Sequence, residues 1–223
     1  MMKIIPVLFF FVVFFSCNNK SEEPALKEEP TETVEEEEVE PSLDLSKNFQ
    51  ELNTFLRGSD SSFSPGKFSQ EEEIQLDSIS WNVLDQETME EFSPYFVINA
   101  DSSLALDLVS YNFIITNKNG VQRVEFAGPD TEIGLIDLKR NKRKRILFLG
   151  SSGLVLDGKW DEKGNILLAG AQEAGQGNLQ PIIWRIYPAE NKIETFTYPG
   201  TIKANVSEYY KLKYKPLKTS RVV

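Results

Sequence analysis

Asp107 is the residue in this sequence best suited to acid–base chemistry. It lies between Leu106 and Leu108 in a segment whose apolar residues alternate as in a strand, where aspartate is disfavoured. None of the 223 residues is a histidine, which excludes the usual Ser-His-Asp and Cys-His machinery and the commonest transition-metal ligand. Carboxylates paired around Asp107 would suit hydrolysis of a glycan. The competing interpretation is that Asp107 faces solvent on the polar side of its strand.

Three aromatic side chains in the second half of the chain are candidates for binding a sugar or a peptide: Trp160, Trp184 and Tyr187. Aromatic rings often line such faces, because they bury a large area while keeping a polar tip. Trp160 has a second interpretation, in which it fills the core between two sheets.

A basic cluster supplies the remaining binding candidates, Arg140, Arg143 and Arg145. They belong to a run of six cations within residues 139–145, at a predicted hairpin turn and the start of its second strand. Such a tip would bind anionic lipid headgroups, glycan phosphates or the acidic N-terminal tail. Alternatively, it is a solvated hairpin whose charges discourage edge pairing.

Metal and cofactor sites have little support in the sequence. Asp157, Asp161 and Asn165 flank a turn and have the oxygen ligands that calcium prefers, but they lack the spacing of a 12-residue calcium loop. Turn formation therefore explains them better. No glycine-rich loop of the phosphate-binding type is present, and the glycines within residues 170–177 indicate a flexible connection. We predict neither a cofactor nor a bound metal.

The net charge of -10 is concentrated near the N-terminus. Residues 18–47 contain eleven of the 34 acidic residues and three of the 24 basic ones, so the rest of the chain is nearly balanced. The acidity therefore indicates no acidic active site, and the charge pattern does not favour a nucleic-acid partner.

The chain begins with a segment typical of export. Ile4 to Phe15 form a 12-residue apolar run, which is shorter than the roughly 20 residues of a spanning helix. It fits the apolar region of a secretory signal, and Ser16 is the small residue expected at the cleavage point. Cys17, the only cysteine in the chain, follows immediately.

This arrangement resembles a bacterial lipoprotein signal peptide. The resemblance implies cleavage after Ser16 and acylation of Cys17, hence a lipid anchor in the cell envelope at the surface or periplasmic face of the outer membrane. Residues 20–23, Lys-Ser-Glu-Glu, are similar to the acidic export tag of surface lipoproteins in the Bacteroidota. The alternatives are an ordinary secreted protein with a stray thiol, or an uncleaved anchor.

Three regions follow from this reading: a signal peptide at 1–16, a lipidated cysteine with a disordered acidic linker at 17–47, and a β-rich domain at 48–223. The linker interpretation rests on four consecutive acids and few bulky apolar residues; the alternative is an acidic arm that binds a cation or a partner. The spacing of Phe49, Leu52 and Leu56 predicts one short helix over 45–56, capped by Ser46 and stopped by Gly58.

Two units of about fifty residues, near 95–150 and 151–200, share one plan of turn, strand, connection and hairpin. Asn141-Lys142 and Gly150 recur as Asn191-Lys192 and Gly200, while Ser102 matches Gly164 in the turn before the first strand. Asn119-Gly120 predicts a further two-residue hairpin. Alternation predicts strands in 74–83, which would form a third partial sheet, and a last edge strand at 211–215. Between them, residues 85–92 indicate a short helical turn that ends before Pro94.

This plan resembles the repeats of TolB-like and WD40-like β-propellers. Residues 157–165 are similar to the turn segment of those repeats, with Asp157, Trp160 and Gly164 in the matching places. Closed propellers use about 4–8 blades, so two units do not make one. We therefore predict a mainly β fold of two or three blade-like antiparallel sheets, arranged as a partial propeller or a sandwich.

These observations predict a membrane-anchored envelope lipoprotein whose β domain binds a protein or glycan partner without catalysis. The partners implied are the lipid bilayer, through acylated Cys17, and that protein or glycan. The alternatives are an envelope glycan hydrolase with paired carboxylates, and a structural accessory subunit of an outer-membrane complex.

Overall fold

The computed structural model describes residues 42–76, 80–118 and 121–214, which belong to one structural unit, Val39–Val223. The signal segment, Cys17 and the acidic linker up to residue 41 lie outside the described residues. Within them, antiparallel strands dominate and helices are short. The predicted mainly β fold is confirmed.

The first sheet combines two N-terminal strands with a four-stranded meander, which we call the second blade because it comes later in the chain. The N-terminal strands are β1 (Ser42–Leu43) and β2 (Phe68–Gln75). The second sheet has five strands: β3 (Asn82–Val83), β4 (Val97–Ile98), β5 (Leu104–Asp107), β8 (Thr131–Asp137) and β9 (Lys142–Leu149). Between β5 and β8 the chain forms a separate hairpin of β6 (Phe113–Lys118) and β7 (Val121–Phe126). The second blade consists of β10 (Gly153–Trp160), β11 (Ile166–Glu173), β12 (Leu179–Tyr187) and β13 (Lys192–Thr197).

Both sheets are built in the same way. The strand order of the first sheet is β1-β2-β13-β12-β11-β10, so β2 lies beside the last strand of the second blade. The first blade consists of β4, β5, β8 and β9, and the strand order of its sheet is β3-β9-β8-β5-β4. Each blade is therefore a meander with an extra strand beside its last strand. The two hairpins predicted from the repeat are β8–β9 and β12–β13.

The repeat extends to the backbone of the turns. Asn141 and Asn191 occupy the left-handed region at φ 50°, and Ser102 and Gly164 do so at φ 56° and 80° in the earlier turn. Asparagine and glycine tolerate this conformation better than most residues. The residues matched at offsets of 50 and 62 thus have the same conformational role in both blades.

The N-terminal strands attach to the two blades at equivalent points. The Leu76 amide, just after β2, donates to the Asn191 carbonyl at 2.6 Å, and the Leu84 amide, just after β3, donates to the Asn141 carbonyl at 3.1 Å. The prediction of a separate partial sheet over 74–83 was therefore wrong: its two halves extend different sheets. Strand partners are set by long-range pairing, which local alternation does not contain.

The two sheets pack against each other through the inner strands. A Cβ atom at Gly158 would lie 2.9 Å from a methyl group of Leu106 and from one of Leu168, so the two sheets approach each other closely at this crossing. Because side chains alternate along a strand, Leu106 points toward the second blade and Asp107 points away from it. We call the face that carries Asp107 the outer face of the first blade.

The N-terminal helix is interrupted and its cap differs from the prediction. It forms α1 (Leu45–Asn48) and α2 (Gln50–Ser59), separated by Phe49. Asp44 caps α1 by accepting from the Ser46 amide at 2.8 Å, so Ser46 is not the cap, and α2 continues through Gly58. Leu43 and Leu45 are buried, so the folded part starts before residue 48.

Two further helices complete the described fold. The helix α3 (Gln86–Phe92) lies at the helical turn predicted to end before Pro94. A 3₁₀ turn, Ser93–Tyr95, follows it. The helix α4 (Val206–Lys213) includes most of the segment predicted to be a last edge strand, which was wrong. Helical spacing places Tyr209, Tyr210 and Lys213 on one side, and that side packs against β10.

The helix α4 covers the free edge of β10. The Tyr210 hydroxyl donates to the Val155 carbonyl at 2.6 Å, the Tyr209 hydroxyl donates to Asp157 Oδ2 at 2.9 Å, and Lys213 pairs with the same carboxylate. This contact protects an edge strand that would otherwise be open to pairing. None of the helices in the described ranges is both long and apolar enough to cross a membrane.

Candidate functional site

Asp107 is buried, with 0 % of its surface exposed, and both of its oxygens are occupied. Oδ1 accepts from the Val109 and Ser110 amides at 3.0 and 2.9 Å, and Oδ2 accepts from the Ser110 hydroxyl and from Arg143 Nε, the latter at 2.8 Å. The interpretation that Asp107 faces solvent was therefore wrong. The carboxylate instead fixes the turn after β5 and anchors an arginine.

Arg143 joins Asp107 to a second carboxylate, Glu132. Burial disfavours the charge of this guanidinium, but the two carboxylates outweigh that effect and raise the pKa of Arg143 above its ordinary value. The guanidinium lies flat over Gly134, where a Cβ atom would be 2.6 Å from Nη2. We call Asp107, Glu132 and Arg143 the ion-pair network.

A bulge in β9 sets which side chains join this network at the surface. Gly134 pairs with Arg145 and Glu132 pairs with Phe148, and the register shifts between Ile133 and Gly134, which leaves Ile146 of β9 as the extra residue. Arg145 and Phe148, three residues apart, therefore lie on the same face, which a regular strand would not allow. Arg145 approaches Glu132 at 3.7 Å and stacks over the Phe148 ring at 5.1 Å.

Three exposed side chains form a patch beside the ion-pair network, and we call it the Phe148 patch: Tyr111, Arg145 and Phe148. Tyr111 and Phe148 are 43 % and 46 % exposed, and their rings meet edge to face at 6.4 Å. The side chain of Arg145 is 48 % exposed. A groove of about 470 Å³ runs beside the patch. It is lined by β3 and the residues up to the first turn of α3, by Ser110, Tyr111 and Arg145, and by Glu132 and Arg143 of the network.

Arg140 lies apart from Arg143 and Arg145, at the tip of the hairpin. Its Nε pairs with Asp137 Oδ2 at 2.7 Å, and its guanidinium lies over the Trp81 ring at 5.9 Å. Lys144 lies over the same ring at 5.1 Å, and partial burial lowers the pKa of its amine. The predicted basic cluster is thus divided between two faces of the hairpin.

Trp160 and Tyr187 do come together, at the opposite blade. With Arg185 they line an open groove of about 530 Å³, which we call the Trp160 groove; its other lining residues are Lys47, Asn48, Lys159, Asp161, Glu162, Lys163 and Asn165. Trp160 is half-buried, and its indole donates to the Val97 carbonyl at 2.7 Å. It therefore links the blades, as the core interpretation requires, and also lines a groove.

Trp184 does not join the other two aromatic candidates. It is buried, and its ring fills the space above Gly170, where a Cβ atom would be 2.9 Å from the ring. Gly170 lies within β11, so the connection predicted over 170–177 begins later, at a turn in which Gly175 and Gly177 adopt positive φ. Trp184 is a core residue that reaches only a small cavity of about 200 Å³.

The carboxylates considered for calcium have other partners. Asp157 is bound by Tyr209 and Lys213 of α4, whereas Asp161 accepts the Lys163 and Asn165 amides of its own turn, both at 2.8 Å. In the described part of the chain, no group of three or more acidic, cysteine or histidine side chains is placed to hold a metal ion.

Sequence reasoning missed four residues of these surfaces: Glu132, Tyr111, Phe148 and Arg185. Glu132 precedes a run of buried residues in β8, and the next predicted strand, β9, begins with four cations. Opposite charges on neighbouring strands of a hairpin are a signal for cross-strand ion pairs. Nothing local indicates Tyr111 and Phe148, because the bulge in β9 and the turn after Asp107 bring them together.

Comparison of the chain with protein-family models, with curated proteins and with solved structures finds no match. The predicted acylation site, Cys17, lies outside the described residues.

Proposed function

We propose that this protein is a lipid-anchored envelope protein whose β domain binds a partner protein through the Phe148 patch, without catalysing a reaction. The observation that carries the binding proposal is the exposed cluster of Tyr111, Arg145 and Phe148 beside a largely buried ion-pair network. The lipid anchor is supported by the apolar run, Ser16 and Cys17 in the sequence.

The composition of the Phe148 patch favours protein recognition. Tyrosine and arginine are enriched among residues that dominate binding energy at interfaces, especially where neighbouring side chains hold them in place. Arg145 is held by Phe148 below its guanidinium and by Glu132 beside it. Fixing these side chains before binding lowers the entropy lost on association.

The backbone next to the patch is also available to a partner. In the described part of the chain, β3 pairs with β9 only at Arg143 and Lys142. No described strand pairs with this side of β9 from Lys144 to Leu149, and an extended peptide could add there by main-chain hydrogen bonds. Main-chain pairing would supply affinity, and the patch would supply specificity.

The hydrolase alternative loses its central residue in this geometry. A second carboxylate, Glu132, does lie close to Asp107, since both bind one guanidinium. However, a general acid or base must reach the proton that it transfers, and Asp107 is fully buried with both oxygens bound. The remaining alternative, an accessory subunit of an outer-membrane complex, would use the same patch.

Site-specific photo-crosslinking in the native cells tests the proposal. A photoreactive phenylalanine at position 148 should give one discrete protein adduct, and Arg145→Ala should reduce it about tenfold, as expected for a loss of about 1.4 kcal/mol. The control is the same residue at position 212, which is 55 % exposed on α4. Absence of an adduct at 148, or the same adducts at both positions, would contradict the proposal.

A further inference from the structure

We propose that the Trp160 groove is a second binding site, and that its ligand is an anionic saccharide of the uronic-acid type. The groove lies on the second blade, away from the Phe148 patch, so the inference does not depend on the partner protein. It rests on three features of the groove: fixed aromatic walls, a surplus of positive charge, and side-chain amides.

The aromatic walls are fixed by hydrogen bonds within the chain. The Trp160 indole donates to the Val97 carbonyl at 2.7 Å, and the Tyr187 hydroxyl donates to Glu194 Oε2 at 2.8 Å. Lys192 lies over the Tyr187 ring at 4.3 Å and holds it further. Rings held in this way present apolar surface to the C–H groups of a sugar and lose little entropy on binding.

The charges that line the groove favour an anion. Four cationic residues line it, and they are Lys47, Lys159, Lys163 and Arg185, against two acidic residues, Asp161 and Glu162. Arg185 is paired with Glu194 at 3.5 Å, so the positive surplus of the groove comes from its three lysines. A local surplus of positive charge in a protein of net charge -10 raises the local concentration of an anionic ligand.

The amides of Asn48 and Asn165 suit sugar hydroxyls. The Asn48 Nδ2 donates to the Asp44 carbonyl at 3.3 Å, and the Asn165 Nδ2 donates to Asp161 Oδ2 at 3.0 Å. These bonds orient both side chains and leave their carbonyl oxygens as acceptors for hydroxyl groups. The groove, at about 530 Å³, is also within the size range of ligand sites, about 300–1,000 Å³.

Titration with a matched pair of trisaccharides tests the site. The probe is trigalacturonate, and the control ligand is the neutral galactotriose. In ¹H–¹⁵N spectra of the folded chain, the indole signal of Trp160 should shift on addition of trigalacturonate, whereas those of Trp81 and Trp184, which lie elsewhere, should not. Galactotriose should bind at least about tenfold more weakly, a difference of about 1.4 kcal/mol, and added salt should weaken trigalacturonate binding.

Two variants make the test specific to the groove. Lys163→Gln removes an exposed cation of the groove and should weaken trigalacturonate binding by about fivefold, within the range of single charge contacts, whereas Lys203→Gln, an exposed cation elsewhere, should not. Equal affinity for both trisaccharides, an unshifted Trp160 signal, or equal effects of the two lysine variants would overturn the proposal.

Discussion

At the scale of single residues, the outer face of the first blade depends on one guanidinium shared by two carboxylates. Removing either partner of a buried ion pair leaves an uncompensated charge, which is far more costly than the net worth of the pair. Asp107 is therefore a structural residue that holds Arg143, and Arg143 in turn holds Glu132 beside Arg145. The position of the Phe148 patch follows from this chain of contacts.

Gly134→Ala should destabilise the fold by disturbing that network. The added methyl group would overlap the Arg143 guanidinium, which would have to leave Asp107. Overpacking of this kind commonly costs about 1–3 kcal/mol, and the free energy of unfolding in urea measures it. The matched control is Gly58→Ala in α2, where nothing lies within 4 Å of the added atom and the change should stabilise by up to about 1 kcal/mol. Equal effects of the two variants would contradict the role of Gly134.

At the scale of elements, the two blades share one strand arrangement, but they differ in how each blade binds the strand beside its last one, β2 or β3. Both turn asparagines accept from a leucine amide through the backbone. Asn141 makes one further bond, in which its side chain donates to the Leu84 carbonyl at 3.1 Å. The first blade thus uses its turn side chain to attach β3, which has only two residues to pair with β9.

This difference predicts unequal effects of one substitution made at both turns. Glycine adopts positive φ readily, so Asn191→Gly should change the free energy of unfolding by only a few tenths of a kcal/mol. Asn141→Gly keeps the turn but removes the bond to Leu84, which should cost about 0.5–1.5 kcal/mol. Denaturant unfolding of both variants measures the difference. If the two variants are equally stable, the side-chain bond to Leu84 contributes nothing.

The docking of α4 predicts how stability changes in alkali. Burial is the main cause that raises the pKa of Tyr209, Tyr210 and Tyr214 above the ordinary value of 10.0, and the nearby charge of Asp157 adds to it in each case. Above pH 10 the tyrosines of the unfolded chain lose their protons, while these three buried tyrosines stay neutral. Their contribution to the free energy of unfolding is therefore complete below pH 10 and is lost as the pH rises further.

Tyr214→Phe is the clearest variant for this effect, because it removes a titrating group while keeping the ring that stacks on Tyr210. Above pH 10, the free energy of unfolding of the variant should fall less steeply than that of the original chain, by about 1.4 kcal/mol per pH unit. The measurement is urea unfolding from neutral pH to alkali, with tyrosinate absorbance as a second signal. Identical slopes would show that Tyr214 titrates normally in the folded chain.

The elements that were predictable from sequence are those specified locally. The hairpins at 133–149 and 182–198 follow from alternation and from turn asparagines, and α3 follows from its Pro94 boundary. The α4 helix was missed because Lys-Leu-Lys-Tyr-Lys alternates like a strand, and only packing on β10 selects the helix. Asp107 was recognisable as unusual, but its partner Arg143 is 36 residues away, and no local pattern contains that pairing.

At the scale of the whole molecule, two blades are stable without a closed ring because other elements cover their exposed parts. The helix α4 covers the β10 edge, Trp160 ties β10 to β4, and the α1–α2 segment packs on the far side of the second blade, where Lys159 lies over the Phe49 ring. The Phe148 patch lies beside a part of β9, Lys144 to Leu149, that pairs with β8 but with no other described strand, so this part of the first blade is left accessible to a partner.

Cys17→Ser tests the anchor that we propose for this domain. Acylation needs the thiol, and at least two signals or chains are required for stable membrane attachment, so the variant should leave the membrane fraction while the original chain stays in it. Mass spectrometry of the native N-terminus should show acyl groups on Cys17. The folded unit begins near Ser42, so unfolding of the variant domain should be unchanged, which separates loss of the anchor from loss of the fold. A variant that remains in membranes would identify the apolar run as an uncleaved anchor instead.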